Sequence, residues 1–277
     1  IPLQHCSLSY AASLKLACIL LYNPRLQSDI MKLFTLKLPV FSLLLLTLLF
    51  LAGCDDDNNS KTGSGVVTTE QRSLSTFTEV ENNSSIEVVI QPLPNFANPV
   101  VEVRVDDNLQ ESIRTEVIDD ALVVTTDGDF NASQPPQVFV SIFTLTRMTN
   151  SGSGLMQNDA PLQATLLRAI NSGSGRMELD NISAFTLNLE QRGSGVVEIR
   201  DVGSDLLSAN LTGGGRIELE GEVDSLLDVT IGGSGAVRAF DCPANEVSAR
   251  ITGSGVLETN ALNRLRATIS GSGSVRY

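Results

Sequence analysis

From Arg176 onward the chain alternates apolar and polar residues in short runs, and the runs repeat. Arg176-Met177-Glu178-Leu179, Val196-Val197-Glu198-Ile199 and Arg216-Ile217-Glu218-Leu219 each place apolar side chains second and fourth and an acid third. A period of two predicts half-buried strands. A second alternating run closes each repeat, as in Leu207-Ser208-Ala209-Asn210-Leu211 and Leu227-Asp228-Val229-Thr230-Ile231. Laid over one another, these runs predict three inward columns. One is Leu187, Leu207, Leu227, Val247 and Leu265; the next is Leu189, Ala209, Val229, Ala249 and Ala267; the last is Leu211, Ile231, Ile251 and Ile269. β-Branched residues and glycine triplets break any helical stripe, so helices are excluded here.

Gly-Ser-Gly, once Gly-Gly-Gly, separates the runs. The triplets begin at Gly152, Gly173, Gly193, Gly213, Gly233, Gly253 and Gly271, at intervals of 21, 20, 20, 20, 20 and 18 residues. A fixed period of this size marks a solenoid. Twenty residues at about 3.3 Å each trace roughly 65 Å, one circuit of a narrow parallel β-helix. The predicted class is therefore all-β, a parallel β-helix with about seven rungs from residue 152 onward. Its turns fall at Gly152 and Gly154, Gly173 and Gly175, Gly193 and Gly195, Gly213 and Gly215, Gly233 and Gly235, Gly253 and Gly255, and Gly271 and Gly273. Lacking a Cβ, these glycines are expected to take φ > 0 at sharp corners. Ser174, Ser194, Ser234, Ser254 and Ser272 would then form a ladder about 4.8 Å apart. Flexible Gly/Ser linkers lack such phased apolar strands.

Between Val66 and about Thr149 the alternation persists without the motif. Candidate strands are Ile86–Ile90, Val100–Val105, Ser112–Val117, Ala121–Thr125 and Val138–Phe143, separated by Pro-, Asp- and Gly-containing turns. This strand-rich half, residues 64–151, is expected to pack continuously on the repeat of residues 152–277. It would cap the first rung, because a solenoid end must hide an open sheet edge. A separate domain is the alternative.

The N-terminus carries a different signal. Met31-Lys32 and Lys37 precede an apolar stretch from Leu38 to Leu51, which ends in Leu51-Ala52-Gly53-Cys54 and is followed by Asp55-Asp56-Asp57. Basic residues, an apolar run and small residues before a cut define a secretory signal over residues 31–53. The cysteine that follows at once resembles the lipobox of a bacterial lipoprotein signal. That resemblance implies cleavage before Cys54 and acylation of its thiol, palmitate included, which would hold the protein on a membrane. An uncleaved transmembrane anchor is the alternative, but the run is short of the roughly 20 residues a span needs. Residues 54–63 read as a polar tether. Residues 1–30 open with Ile and hold Cys6, Cys18 and the only histidine, His5. They read as an upstream extension, with initiation at Met31, and are excluded from fold reasoning.

Charge narrows the partners. From Cys54 onward the chain holds 15 basic and 31 acidic residues, a net charge of −16. That disfavours nucleic acid and anionic lipid headgroups and favours cations. With Cys54 lipidated, Cys242 stands alone, so no intrachain disulfide forms. In Phe240-Asp241-Cys242-Pro243 it reads as a small apolar filler rather than a reactive thiol.

No histidine follows His5, which removes the usual general base, the Ser-His nucleophile and imidazole metal ligation. Phosphate-cradling glycines open a helix, whereas these lie between strands. Calcium-binding nonapeptide repeats need aspartate just after the glycines, where this chain has Arg176, Val196, Arg216 and Ala236. No catalytic residue, metal or cofactor is expected.

One carboxylate column stands out: Glu178, Glu198 and Glu218, then Arg238, then Glu258. Stacked about 5 Å apart beside Arg176, Arg200 and Arg216, it reads as a solvated face of mixed charge. The alternatives are a weak strip for divalent cations or a cationic partner, and paired carboxylates for glycoside or uronate chemistry. The chain from Cys54 has no Trp, one Tyr at the very end, and seven Phe expected mostly at inward positions, a poor set for gripping sugars.

Read together, several stretches resemble a known bacterial family, the putative auto-transporter adhesins with a head GIN domain. They are Gly63-Ser64-Gly65-Val66-Val67, the Val105-Asp106-Asp107-Asn108-Leu109 turn, the hairpin from Glu116 to Val124, and the Gly-Ser-Gly ladder. The resemblance covers roughly residues 63–277. It implies a right-handed parallel β-helix, similar in shape to pectin-lyase-like proteins, with the motifs at tight turns between sheets. It also implies no established catalytic residues and a suggested role in adhesion. The sequence stops one strand into a rung, where family members continue a little further, which points to a missing C-terminal cap or a shortened sequence.

The expected function is thus a non-enzymatic lipoprotein of the bacterial cell envelope, binding an unknown protein or polysaccharide and no nucleic acid. Outer membrane and periplasmic face of the inner membrane both stay open, since aspartate after the lipidated cysteine resembles a retention signal in some bacteria and acidic runs resemble an export signal in others. The rival is a carbohydrate-active β-helix enzyme, lyase- or hydrolase-like. Rungs of 20 residues without insertions leave no loops to wall a substrate groove, which favours binding.

Overall fold

The computed structural model describes residues 60–95 and 97–277. The upstream extension, the signal segment and Cys54 lie outside the described residues. In the N-terminal half the strands are β1 (Lys61–Thr62), β2 (Val67–Arg72), β3 (Glu79–Asn82), β4 (Glu87–Pro92), β5 (Val100–Asp106), β6 (Ile113–Ile118), β7 (Ala121–Thr126), β8 (Phe130–Asn131), β9 (Gln137–Ile142) and β10 (Arg147–Asn150). The repeat supplies β11 (Leu155–Asn158), β12 (Leu162–Asn171), β13 (Arg176–Gln191), β14 (Val196–Leu211), β15 (Arg216–Ile231), β16 (Ala236–Ile251), β17 (Val256–Ile269) and β18 (Ser274–Arg276). One 3-10 turn spans Asp107–Ser112, within the stretch whose sequence signals only a turn.

From β11 to β18 every pairing is parallel, and the register is the one the alternation predicts. Met177 pairs with Val197, Val197 with Ile217, Ile217 with Val237, and Val237 with Leu257. The protein is a parallel β-solenoid. From residue 152 it completes six rungs and opens a seventh with β18, in line with the expected count of about seven. The inward columns close into a continuous core: Leu187, Leu189, Leu211, Leu227, Val229, Ile231 and Ile251 are fully buried. The last rung is the exception, with Leu265 half-buried and Ala267 and Ile269 exposed.

Each long strand is bent twice. Between β13 and β14 the pairing runs 176–180, 182–184 and 186–191, lapsing at 181 and 185. Each rung therefore has three sides, and the Gly-Ser-Gly motif makes only one of the three corners. At the first bend Asn181 and Asp201 take φ of 54° and Gly221 takes 132°, the residue types that tolerate this region. The motif glycines themselves do not need it, contrary to expectation: of the fourteen, only Gly271 has positive φ. They are small because successive corners stack backbone on backbone. A Cβ on Gly193 would sit 2.0 Å from the Gly173 carbonyl oxygen.

The N-terminal half continues the same stack out of chain order. Strands β3 and β4 pair in parallel with β10 and β11 on one side and with β7 and β9 on the other. Beyond that rung the pairing turns antiparallel, β9 with β5, β5 with β2, and β7 with β6. A parallel rung would leave a row of unpaired N–H and C=O groups, and these antiparallel strands cover it.

Candidate functional site

The carboxylate column forms as the register requires. Glu178, Glu198, Glu218, Arg238, Glu258 and Arg276 are successive partners on one outer face. Each glutamate has arginine neighbours. Arg176 lies 3.1 Å from Glu178 and 3.4 Å from Glu198, and Arg200 also holds Glu198. Arg216 and Arg238 reach Glu218 at 3.2 and 2.7 Å, and Arg238 and Arg276 reach Glu258 at 3.8 and 2.6 Å. Pairs this exposed contribute at most about 1 kcal/mol each, but they occupy the oxygens a cation would use. Among the described residues no three of His, Cys, Asp or Glu converge on a point that could hold a metal ion.

Behind the Gly-Ser-Gly corner runs a buried polar row that the sequence reading missed. Asn82, Asn150, Asn171 and Gln191 are wholly buried. Each donates its side-chain amide to a carbonyl four residues on, Ile86, Gly154, Gly175 and Gly195 respectively, at 2.9 Å. The amide oxygens of Asn150, Asn171 and Gln191 have no partner. From Leu211 the same position is apolar. The signal was present as Asn150-Ser151-Gly152 and Asn171-Ser172-Gly173.

A second hidden anchor is Asp106, fully buried at the end of β5. Its carboxylate accepts hydrogen bonds from the Gly65 N–H at 2.8 Å, the Ser133 N–H at 2.8 Å and the Ser133 hydroxyl at 2.7 Å. Those donors, the Ser133 hydroxyl first, hold its pKa below the usual carboxylate value. It ties two segments of the cap together. Cys242 is buried at the middle of its rung; burial, and then the Glu222 charge, push its thiol up to about 12. With no exposure to solvent, it packs within the hydrophobic core.

Among the described residues the surface holds several hollows, two of them large. One, of about 610 Å³, lies beside the cap and is lined by Ser85, Thr126, Asp129, Asn131, Ser133 and Gln134 among others. The other, of about 680 Å³, is a groove between Pro92–Pro94, Phe143–Thr146 and Pro161–Leu166, without a charged residue in its lining. The phenylalanines also depart from expectation. Among the described residues only Phe77 is buried, Phe130, Phe139 and Phe143 are half-buried, and Phe185 and Phe240 are exposed.

These features define a three-sided parallel solenoid with an antiparallel cap at its N-terminal end and an ion-paired outer face. The chain belongs to the family described as "putative auto-transporter adhesin, head GIN domain", which matches residues 76–277. Solved structures share the fold. A protein described as a putative lipid binding protein from Parabacteroides distasonis is 22% identical with a TM-score of 0.64, over 78% of this chain and 98% of that one. A putative adhesin from Parabacteroides merdae is 18% identical at 0.64, over 78% and 97%. A putative adhesin from Bacteroides fragilis is 15% identical at 0.65, over 78% and 98%. No curated protein matches the chain. Among the described residues no helix is long and apolar enough to cross a membrane.

Proposed function

We propose that this is a non-enzymatic binding protein of the bacterial cell envelope, anchored by acylation of Cys54, with the β-solenoid as its adhesive head. The observation that carries the reading is the side face itself. Five successive strands, β13 to β17, stack without a single long insertion, which offers a repeated surface and no walled pocket. Membership of an adhesin-head family supports it, as do the adhesin names of two of the structural neighbours. Another neighbour is named for lipid binding, but a charge of −16 from Cys54 onward opposes anionic headgroups.

Two experiments test the reading. Cys54→Ser should release the protein from membranes or leave the uncleaved precursor; unchanged membrane extraction would remove the anchor. A glycan and polysaccharide panel, scored for retention and for cleavage with and without calcium, tests the head. Retention without cleavage supports binding. Depolymerisation of a uronate polymer, lost when Glu178, Glu198, Glu218 and Glu258 are neutralised, would establish the rival enzyme.

A further inference from the structure

Among the described residues nine large hydrophobic side chains are exposed, and five of them lie on one edge of the solenoid. They are Leu166, Phe185, Leu206, Phe240 and Leu262, between 37% and 61% exposed. The other four sit toward the two ends of the stack. The edge is the short middle side of each rung, with its flanking bends. Leu166 pairs with Thr186, Thr186 with Leu206, and Leu206 with Leu226, and Phe185 stands beside Thr186, so an apolar row runs over four rungs, from β12 to β15, before it gives way to Glu246 and Arg264; Phe240 and Leu262 lie outside this row. At its N-terminal end it runs into the uncharged groove of about 680 Å³ that Leu166 itself helps to line. A contiguous apolar strip of this kind marks a contact surface.

The same edge is acidic. Asp180, Asp201, Asp205, Glu220, Glu222, Asp224 and Asp241 all lie along it, six of them exposed and Asp205 half-buried. None has a salt bridge, whereas every glutamate of the neighbouring column does. The basic residues at its margins, Arg200 and Arg264, are held by Glu198 and Glu246. The charge selects the occupant of the apolar strip. Anionic lipid would be repelled, and a second copy meeting edge to edge would bring the same charges.

We propose that this edge docks a cationic amphipathic helix of a partner protein, its apolar face on Leu166, Phe185, Leu206 and Leu226 and its Lys and Arg side chains against the unpaired carboxylates. The spacing agrees. A helix lying along the stack offers a side-chain row every 5.4 Å, against a rung about every 4.8 Å. The four rungs of the row span roughly 14 Å, or about 10 helical residues, so a helix of about 16 residues covers it with most of a turn to spare at each end. Helix-in-groove recognition supplies the apolar contact, and the carboxylates steer and orient it. The proposal rests on the binding role and gives that role a partner of definite chemistry.

The test is titration of the full chain against a fluorescent Leu/Lys amphipathic peptide of about 16 residues. Phe185→Ser with Leu206→Ser should weaken binding by about tenfold or more, with little change in its salt dependence. Asp201→Asn, Glu222→Gln and Asp224→Asn together should weaken it about tenfold at low salt and flatten the salt dependence. The same charge change at Glu111→Gln, Glu116→Gln and Asp129→Asn, away from the edge, should alter it less than about twofold. Equal loss from the two charge triples would reduce the effect to net charge and overturn the proposal. So would unchanged affinity in the Phe185/Leu206 variant, or Phe185- and Leu206-dependent binding to phosphatidylglycerol vesicles in place of the peptide. A protein that is retained on the glycan panel but ignores the peptide keeps its binding role and loses this surface.

Discussion

Two adjacent glycines, Gly213 and Gly214, should respond in opposite directions to the same substitution. A Cβ on Gly213 would lie 2.2 Å from the Gly193 carbonyl oxygen and 2.7 Å from that of Arg192. Both are backbone atoms of the preceding rung, so no side chain can swing aside. Non-bonded heavy atoms settle near 3.5 Å; relieving the clash means moving one rung by about 1 Å in a stack spaced about 4.8 Å. That displacement disturbs the strands on either side, and Gly213→Ala should cost about 3 kcal/mol, the upper end of overpacking. At Gly214 the nearest atom to a new Cβ is the Ser234 hydroxyl at 3.8 Å, and φ is not positive. Gly214→Ala meets no obstacle and narrows the unfolded ensemble, so it should stabilise by about 0.4–1 kcal/mol. Urea unfolding followed by far-ultraviolet circular dichroism reads both values. The expected gap of roughly 3–4 kcal/mol corresponds to about 10 °C in Tm for a domain of this size. Equal midpoints would show that the corners do not need bare backbone and that the stacking argument is wrong.

Three further outcomes follow from the buried residues. Leu227→Asp places an unpaired charge in a fully buried column and should destabilise by several kcal/mol, while the exposed neighbour Asp228→Asn should change stability by about 0.5 kcal/mol or less; like melting of the two would invert the strand faces. The lowered pKa of Asp106 means that its stabilisation is complete above the unfolded-state value of about 3.9 and is lost as pH falls through the folded-state value. Asp106→Asn should therefore lower Tm at neutral pH, and the gap to wild type should narrow toward about pH 3; a constant gap would contradict the hydrogen-bonded carboxylate. Cys242, its thiol pushed up to about 12, should resist alkylation in the native protein at about pH 8 and react fully in denaturant, read by mapping the Cys242 peptide; native labelling would place the thiol at the surface.

How far the sequence carries depends on which interactions are local. Alternation fixes the face of each residue, and a repeat of constant length fixes the partner, so Leu207 under Leu227 was legible without coordinates. The same logic failed where the repeat stops. Strands β5 and β9 pair antiparallel while β4 and β9 pair parallel, a choice made by loops whose lengths carry no register. It failed also at the bends. Asn181, Asp201 and Gly221 recur at the repeat period and prefer positive φ, but each lies inside an apparently continuous strand. The glycine triplets drew attention as turns although backbone crowding, and not positive φ, is what excludes a side chain there.

The charged residues show the sharper limit. In sequence the stacked glutamates at 178, 198, 218 and 258 are the conspicuous charge pattern, and the arginines at 176, 200, 216 and 238 already mark a face of mixed charge. Rung stacking puts Arg238 and Arg276 in the same column and Arg176 and Arg216 two residues away on the same face; Arg176, Arg238 and Arg276 reach across one rung spacing to pair with the glutamates, and Arg216 pairs with Glu218 on its own strand. Asp201, Glu222 and Asp224 fall at no common position in the repeat and so form no visible column. Yet the three-sided rung gathers them on its narrowest side, around the short run 182–184, where none of the three makes an ion pair and Arg200 is held by Glu198. Paired carboxylates are satisfied within the fold; unpaired ones beside exposed Phe185 and Leu206 still have interaction free energy to give to a partner. The distinction depends on which side of the rung a residue occupies, and that is set by two bends that alternation alone does not reveal.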